Sequence, residues 1–288
     1  MSNLVSTLLA DDIERAVSAA LAEDLNHQSA DAGDITAALI PATSSSEATV
    51  ITREDCIFCG VAWVNAVFAK LDSAITIDWQ IKDGDFVTAN SVLFILKGNT
   101  RLLLTGERTA LNFVQTLSGT ATLVAQYVKA LKGSNTQLLD TRKTLPGMRL
   151  AQKYAVSCGG GKNHRIGLFD AYLIKENHIN GCGSIAKAVA TAKHNCPDKP
   201  VEVEVESLNE LKQALDAGAD IIMLDNFSID AIEQAIAITD KKAKLEVSGN
   251  MDISTISQYA ATNVDYISVG ALTKNVTSID LSMRFTDK

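Results

Sequence analysis

The chain has 288 residues, a formal net charge of -8 and 47% apolar residues. That length can bury a real core in one or two domains, and without low-complexity tracts it reads as a folded globular protein. The acidic balance argues against nucleic acid and anionic membrane as partners.

The N-terminal "MSNLVSTLLADDIERAV" has no basic n-region and no long apolar core, so no signal peptide is expected. No apolar run approaches the roughly 20 residues that a membrane span needs. Five scattered cysteines predict reduced thiols and a cytoplasmic setting. Cys56 and Cys59 form a C-x-x-C inside the apolar "TREDCIFCGV"; with no second pair to complete a zinc site, they read as small buried hydrophobes.

In chain order, "SSSEATVITREDCIF", "AITIDWQIKDGDFV" and "SVLFILKG" read as strands around a helical "VAWVNAVFAKL", with a turn at Asp83-Gly84. This predicts a separate α+β domain. A long helix is expected from about Gly106 to Leu131, with Arg108 near its N-terminus. Beyond it, strand-like "TQLLD", "AYLIK", "VEVEVE", "DIIMLD", "KLEVS" and "DYISVG" alternate with helical patterns that often begin with Ser or Asp. Strand and helix repeated without hairpin signals predicts parallel strands with crossover helices, either a doubly wound sheet or a barrel. The absence of an early G-x-G-x-x-G weakens the dinucleotide-binding option. The tail after Asn275 is expected to pack back on the first domain.

Ligands in parallel α/β domains bind beyond the carboxyl ends of the strands. There the sequence places Thr141, Arg142 and Lys143, then Lys175, then Glu202, Glu204 and Glu206 along one strand, then Asp225 and Asn226, then Ser248-Gly249-Asn250, then Gly270-Ala271. The Val-Glu alternation puts valines on one face and glutamates on the other; the glutamates are expected to point inward, where they need donors or cations. Between Asp140 and His178 lie seven Lys or Arg against three acids, an excess of four positive charges in an acidic chain. Arg142, Lys143, His164, Arg165 and Lys175 therefore read as a pocket for a small polyanion. "GGGKN" fails as a Walker loop and reads as a loop that bends or closes. The backbone at "SGN" and "VGA" suits a phosphate. No metal site built by the protein alone is expected, since His164 and His178 have no ligand partners at metal spacing. Glu204 and Asp225 remain placed to meet a magnesium that arrives with a phosphorylated substrate.

The block "DTRKTLPGMRLAQKYAVSCGGGKNHRIGLFDAYLIKENHI" resembles the signature of the quinolinate phosphoribosyltransferases, the carboxylating nicotinate-nucleotide pyrophosphorylases. The similarity runs over nearly the whole chain, through "AGDITAALIP", "GERTALNFVQTLSGTAT", "VEVEVES", "IIMLDNFS", "LEVSGNM" and "DYISVGALTKN". It implies an incomplete parallel α/β barrel over 116–275 and an N-terminal α+β sandwich-like domain over 1–115, joined by the tail 276–288. It also implies a homodimer with shared active sites. The implied reaction joins quinolinate to phosphoribosyl pyrophosphate with magnesium, giving nicotinate mononucleotide, pyrophosphate and carbon dioxide in NAD synthesis. By the same resemblance, Arg142, His164 and Arg165 bind the carboxylates of quinolinate, with Arg108 supplied by the partner chain. Lys143 and Lys175 hold quinolinate or the pyrophosphate and serve the chemistry. Glu204 and Asp225 serve the ribose, directly or through magnesium, and Ser248, Gly249, Gly270 and Ala271 hold the 5'-phosphate. Thr141 and Asn250 complete the expected substrate contacts. Rival expectations are a nicotinate phosphoribosyltransferase-like or molybdenum-transport-associated relative, a barrel lyase using Lys175 as a Schiff-base amine, and a non-catalytic anion-binding module.

Overall fold

The computed structural model describes residues 3–249 and 251–285. The chain folds into two compact units: Met1–Ala125, Thr144–Gly160 and Leu272–Lys288 form one, and Gln126–Lys143 with Gly161–Ala271 form the other.

The first unit opens with α1 (Asn3–Asp24), which is not among the elements expected above. Its Ile13, Val17 and Leu21 recur every four residues and are buried, forming one apolar stripe. A short α2 (Ala30–Gly33) precedes β1 (Ser45–Thr52) and β2 (Cys56–Ile57). Then come α3 (Val61–Leu71), β3 (Thr76–Trp79), β4 (Phe86–Val87), β5 (Val92–Asn99) and α4 (Thr100–Ala130). An antiparallel sheet runs in the order β12-β1-β5-β3, where β12 (Leu281–Phe285) brings the tail back beside β1. The small β2-β4 pair stands apart. Phe58, Trp63, Phe68 and Phe94 are fully buried, each contributing about 1.5–3 kcal/mol of transfer free energy. Cys56 and Cys59 lie in this core, and burial pushes both thiols up.

The unit boundaries differ from those expected. The first unit runs to Ala125 rather than residue 115, and it takes in 144–160, which was expected with the barrel. The reason is α5 (Arg149–Cys158), whose Ala151 and Ala155 are buried among the first unit's apolar residues. The long helix also starts six residues early, so Arg108 sits two turns inside α4 rather than at its N-terminus. A helix-interior glycine such as Gly106 costs only about 1 kcal/mol, which the surrounding turns outweigh.

The second unit is built on β6 (Gln137–Leu139), β7 (Tyr172–Ile174), β8 (Val201–Val205), β9 (Ile221–Asp225), β10 (Lys244–Ser248) and β11 (Tyr266–Ser268). All pair in parallel, in the order β6-β11-β10-β9-β8-β7. The first strand adjoins the last, as in a barrel, while β6 and β7 end the sheet without pairing; the barrel is incomplete between them. At the free edge of β6 a single parallel bridge joins Leu139 to Lys162. The Lys162 N–H donates to Leu138 O (2.8 Å), and its carbonyl accepts from Asp140 N (3.1 Å). The "GGGKN" segment is thus pinned to β6, not an unattached lid.

Helices α7 (Ile185–Asn195), α8 (Leu208–Asp216) and α9 (Ile229–Thr239) begin at Ser184, Ser207 and Ser228, whose hydroxyls accept the N–H of Lys187, Glu210 and Ala231. Each cap stabilises its helix by about 1 kcal/mol. Three short helices complete the fold: α6 (Glu176–Cys182), also unanticipated, α10 (Ile256–Ala260) and α11 (Ala271–Lys274).

Candidate active site

At the carboxyl ends of the second unit's strands lies an open cleft of about 380 Å³. It is lined by Thr141, Arg142 and Lys143 after β6, His164 and Arg165 after the Lys162 bridge, and Lys175 after β7. Glu204, Asp225 and Ser248 from β8, β9 and β10 are the other expected residues that line it. Leu173, Met223, Glu246 and Ser268 also line it and were not expected there. Side chains alternate along a strand, and each of these lies two residues before an expected rim residue, Lys175, Asp225, Ser248 and Gly270 in turn, and so shares its inward face. That offset is the sequence signal that would have found them.

The remaining expected residues fall elsewhere. Gly270 lies against the cleft wall: a Cβ there would come within 2.8 Å of Lys143 Cδ and 3.6 Å of Thr141 Oγ1. Gly249 follows Ser248 with φ of +148°, a conformation that favours glycine. Ala271 opens α11. Arg108 is exposed on α4 in the first unit, and Asn250 lies outside the described residues.

Backbone anchors fix the cationic wall. Asp140, fully buried, accepts His164 N and Asn163 Nδ2, both at 2.8 Å. Asp170 accepts the N–H of Ile166 (2.7 Å) and Gly167 (2.9 Å), tying down the turn after Arg165. Burial, and then the nearby Arg142 guanidinium, push the Arg165 pKa down, while Glu202 and Asp170 hold it up. Two like charges held together in partial burial are a site for an anion. Opposite them, Lys175 and Glu204 form an ion pair at neighbouring strand ends, and Asp225 Oδ2 accepts Asn226 Nδ2 (2.9 Å).

The Val-Glu alternation folds as expected over Val201–Val205, whereas Glu206 lies beyond β8 and is exposed. Val201, Val203 and Val205 are fully buried on the helix side, and Glu202 points into the barrel, 3% exposed. There His164 Nε2 stands 3.0 Å from Glu202 Oε2 and 3.5 Å from Glu246 Oε2. These three ligand atoms lie within 4.8 Å of one another, a spacing a divalent ion can bridge. His164 Nδ1, however, accepts the Arg165 N–H at 2.7 Å. The ring proton therefore sits on Nε2, which donates to Glu202 and has no lone pair for a metal. The cluster is a hydrogen-bonded proton network. Both His164 nitrogens are engaged within the protein in this arrangement, and Nδ1 fixes the backbone N–H of Arg165.

Sequence comparison agrees with this geometry. The family model for the quinolinate phosphoribosyl transferase N-terminal domain matches residues 34–118, and that for the C-terminal domain matches 120–284. A Bacillus subtilis (strain 168) protein named as a probable carboxylating nicotinate-nucleotide pyrophosphorylase is 40% identical over 255 residues, covering 88% of each chain. The chloroplastic carboxylating nicotinate-nucleotide pyrophosphorylase of Arabidopsis thaliana is 36% identical over 293 residues, covering 95% of this chain and 82% of its own. The solved structure of the nicotinate-nucleotide pyrophosphorylase from Francisella tularensis superposes with a TM-score of 0.92 at 54% identity, over 96% of this chain and 97% of that one. The chain belongs to the quinolinate phosphoribosyltransferase family.

Proposed function

We propose that the protein transfers the phosphoribosyl group of phosphoribosyl pyrophosphate to quinolinate with loss of carbon dioxide, giving nicotinate mononucleotide and pyrophosphate in NAD biosynthesis. The observation that carries this reading is the convergence of Arg142, Lys143, Arg165 and Lys175 on one cleft that also holds Glu204 and Asp225. Adjacent guanidinium groups suit a substrate with adjacent carboxylates, and the opposing carboxylates suit a ribose that becomes cationic.

In this mechanism Arg142 and Arg165 hold quinolinate by its carboxylates, with Arg165 oriented through its backbone bond to His164. Lys143 and Lys175 neutralise the leaving pyrophosphate, where a charge contact is worth most in the transition state. Glu204 and Asp225 bind the ribose hydroxyls and stabilise the developing positive charge. The ring nitrogen attacks the ribose carbon as its bond to pyrophosphate breaks, and becomes cationic; that cation stabilises the carbanion left when the 2-carboxylate departs as carbon dioxide, and the carbanion takes a proton from water. Ser248, Gly249, Gly270 and Ala271 face the 5'-phosphate. Magnesium fits a pair of carboxylates on neighbouring strands, Glu204 and Asp225; when bound it supplies charge neutralisation of the pyrophosphate. The working protein is a cytoplasmic homodimer in which Arg108 serves the partner's cleft. Among the described residues no helix is long and apolar enough to cross a membrane.

A Schiff-base lysine is activated by desolvation or by a neighbouring cation; Lys175 is 45% exposed and paired with a carboxylate. Parallel assays with quinolinate and nicotinate test the substrate. A site built for two carboxylates is expected to favour quinolinate by at least about a hundredfold; equal turnover of nicotinate contradicts the reading.

A further inference from the structure

Beneath the cationic wall, Glu246 of β10 and Glu202 of β8 face one another across the barrel interior. Glu246 is fully buried and Glu202 nearly so. Both Glu246 oxygens and Glu202 Oε1 are buried without a partner in good hydrogen-bond geometry. The donor between them is the His164 Nε2–H, which is closer to Glu202. Asp140 adds a third negative group from the end of β6, and the Ser268 hydroxyl on β11 offsets part of the repulsion. Two adjacent carboxylates in a low-dielectric interior, with one neutral imidazole between them, do not both stay ionised.

We propose that Glu246 is a further residue of this site: it holds one proton on the cleft floor, and so keeps the floor's charge low enough for a doubly charged carboxylate substrate to bind. The proposal rests on the function given above for its substrate, but the proton itself does not. Burial, reinforced by the Glu202 charge, pushes the Glu246 carboxyl up to about 8; His164 and Ser268 act against the rise and Asp140 adds to it. At neutral pH Glu246 then adds no charge to the floor. Above about pH 8 the Glu246 proton leaves and a further negative charge appears beneath Arg142 and Arg165. That charge competes for the guanidinium groups and repels the substrate. Glu246 acts through the floor's charge, so it is a specificity and positioning residue rather than a catalytic one.

The test is the pH dependence of KM for quinolinate at saturating phosphoribosyl pyrophosphate, from pH 6.5 to 9.5, for the wild type, Glu246→Gln and Glu202→Gln. The substrate's carboxylates are ionised throughout this range. In the wild type KM stays level to about pH 8 and then rises by at most about tenfold per pH unit. Glu246→Gln, whose floor cannot gain that charge, shows no break. Glu202→Gln, which removes the neighbour's repulsion, shows its break at lower pH. The same break in Glu246→Gln as in the wild type, or a pH effect confined to kcat, overturns the proposal. Carboxyl-carbon NMR titration of the free wild-type protein needs neither variant nor substrate. A Glu246 resonance that moves near pH 8 supports the proposal, and one that moves between pH 4 and 5 overturns it. Wild-type protein with no turnover of quinolinate would contradict the proposed function, while the NMR titration would still decide whether the proton is there.

Discussion

Lys175 and Glu204, at the ends of the neighbouring parallel strands β7 and β8, are joined in an ion pair on the wall of the cleft. Lys175 is 45% exposed and Glu204 16%, so the pair is solvent-screened and contributes under about 1 kcal/mol to stability. In the proposed mechanism its use is to hold an ammonium in place. Lys175→Ala is therefore expected to unfold within about 1 kcal/mol of the wild type while kcat/KM falls about 10²–10³-fold. Urea unfolding and steady-state kinetics on the same preparation check this; a folded variant with wild-type turnover would remove Lys175 from the mechanism.

Gly270 and Lys143 give a second, indirect test. An added methyl at Gly270 would come within 2.8 Å of Lys143 Cδ, and the flexible lysine is what must give way. Gly270→Ala should lower kcat/KM with little loss of stability. Lys143→Ala should cost more, about 2–4 kcal/mol of transition-state stabilisation. A Gly270→Ala protein as active as the wild type would show that the position of Lys143 is not critical.

Much of this site was legible because period-2 alternation and strand ends are local properties. The "VEVEVE" run stated which face points inward, and the Ser caps of α7, α8 and α9 marked where each crossover begins. What was missed has physical causes. Glu246 and Met223 look like ordinary strand residues until the parallel pairing shows that they share an inward face with Ser248 and Asp225. The start of α4 was placed at about Gly106, six residues late, although one glycine is a small cost inside a 31-residue helix. The first unit's hold on α5 depends on tertiary burial of Ala151 and Ala155, which helix periodicity alone does not assign to a partner. The role proposed for Arg108 came only from the family resemblance, because it involves a second chain, which a pattern within one chain does not contain.

The buried Glu246 makes stability pH-dependent with a defined sign. Its folded pKa, about 8, lies above the ordinary value of 4.5, so the folded state holds the proton more tightly than the unfolded state. That advantage is complete below about pH 4.5 and is lost progressively as pH rises to about 8. Relative to the wild type, Glu246→Gln should gain a few kcal/mol of unfolding free energy between pH 5 and 8, then level off. Urea titrations across that range check it; a difference independent of pH would mean that Glu246 is ionised in the fold.

The shared-site proposal for Arg108 is tested by mixing Arg108→Ala with Lys143→Ala. In a mixed two-fold dimer one site carries both lesions and the other carries neither. With free exchange half of the dimers are mixed, so about a quarter of all sites should recover. Confirmed exchange without recovered activity would place Arg108 outside the partner's cleft.

The most direct measurement is release of labelled carbon dioxide from quinolinate labelled at the 2-carboxylate, with and without phosphoribosyl pyrophosphate and magnesium. The account predicts release only when both are present, with one carbon dioxide for each nicotinate mononucleotide formed. No release under those conditions, or equal release without phosphoribosyl pyrophosphate, would contradict it.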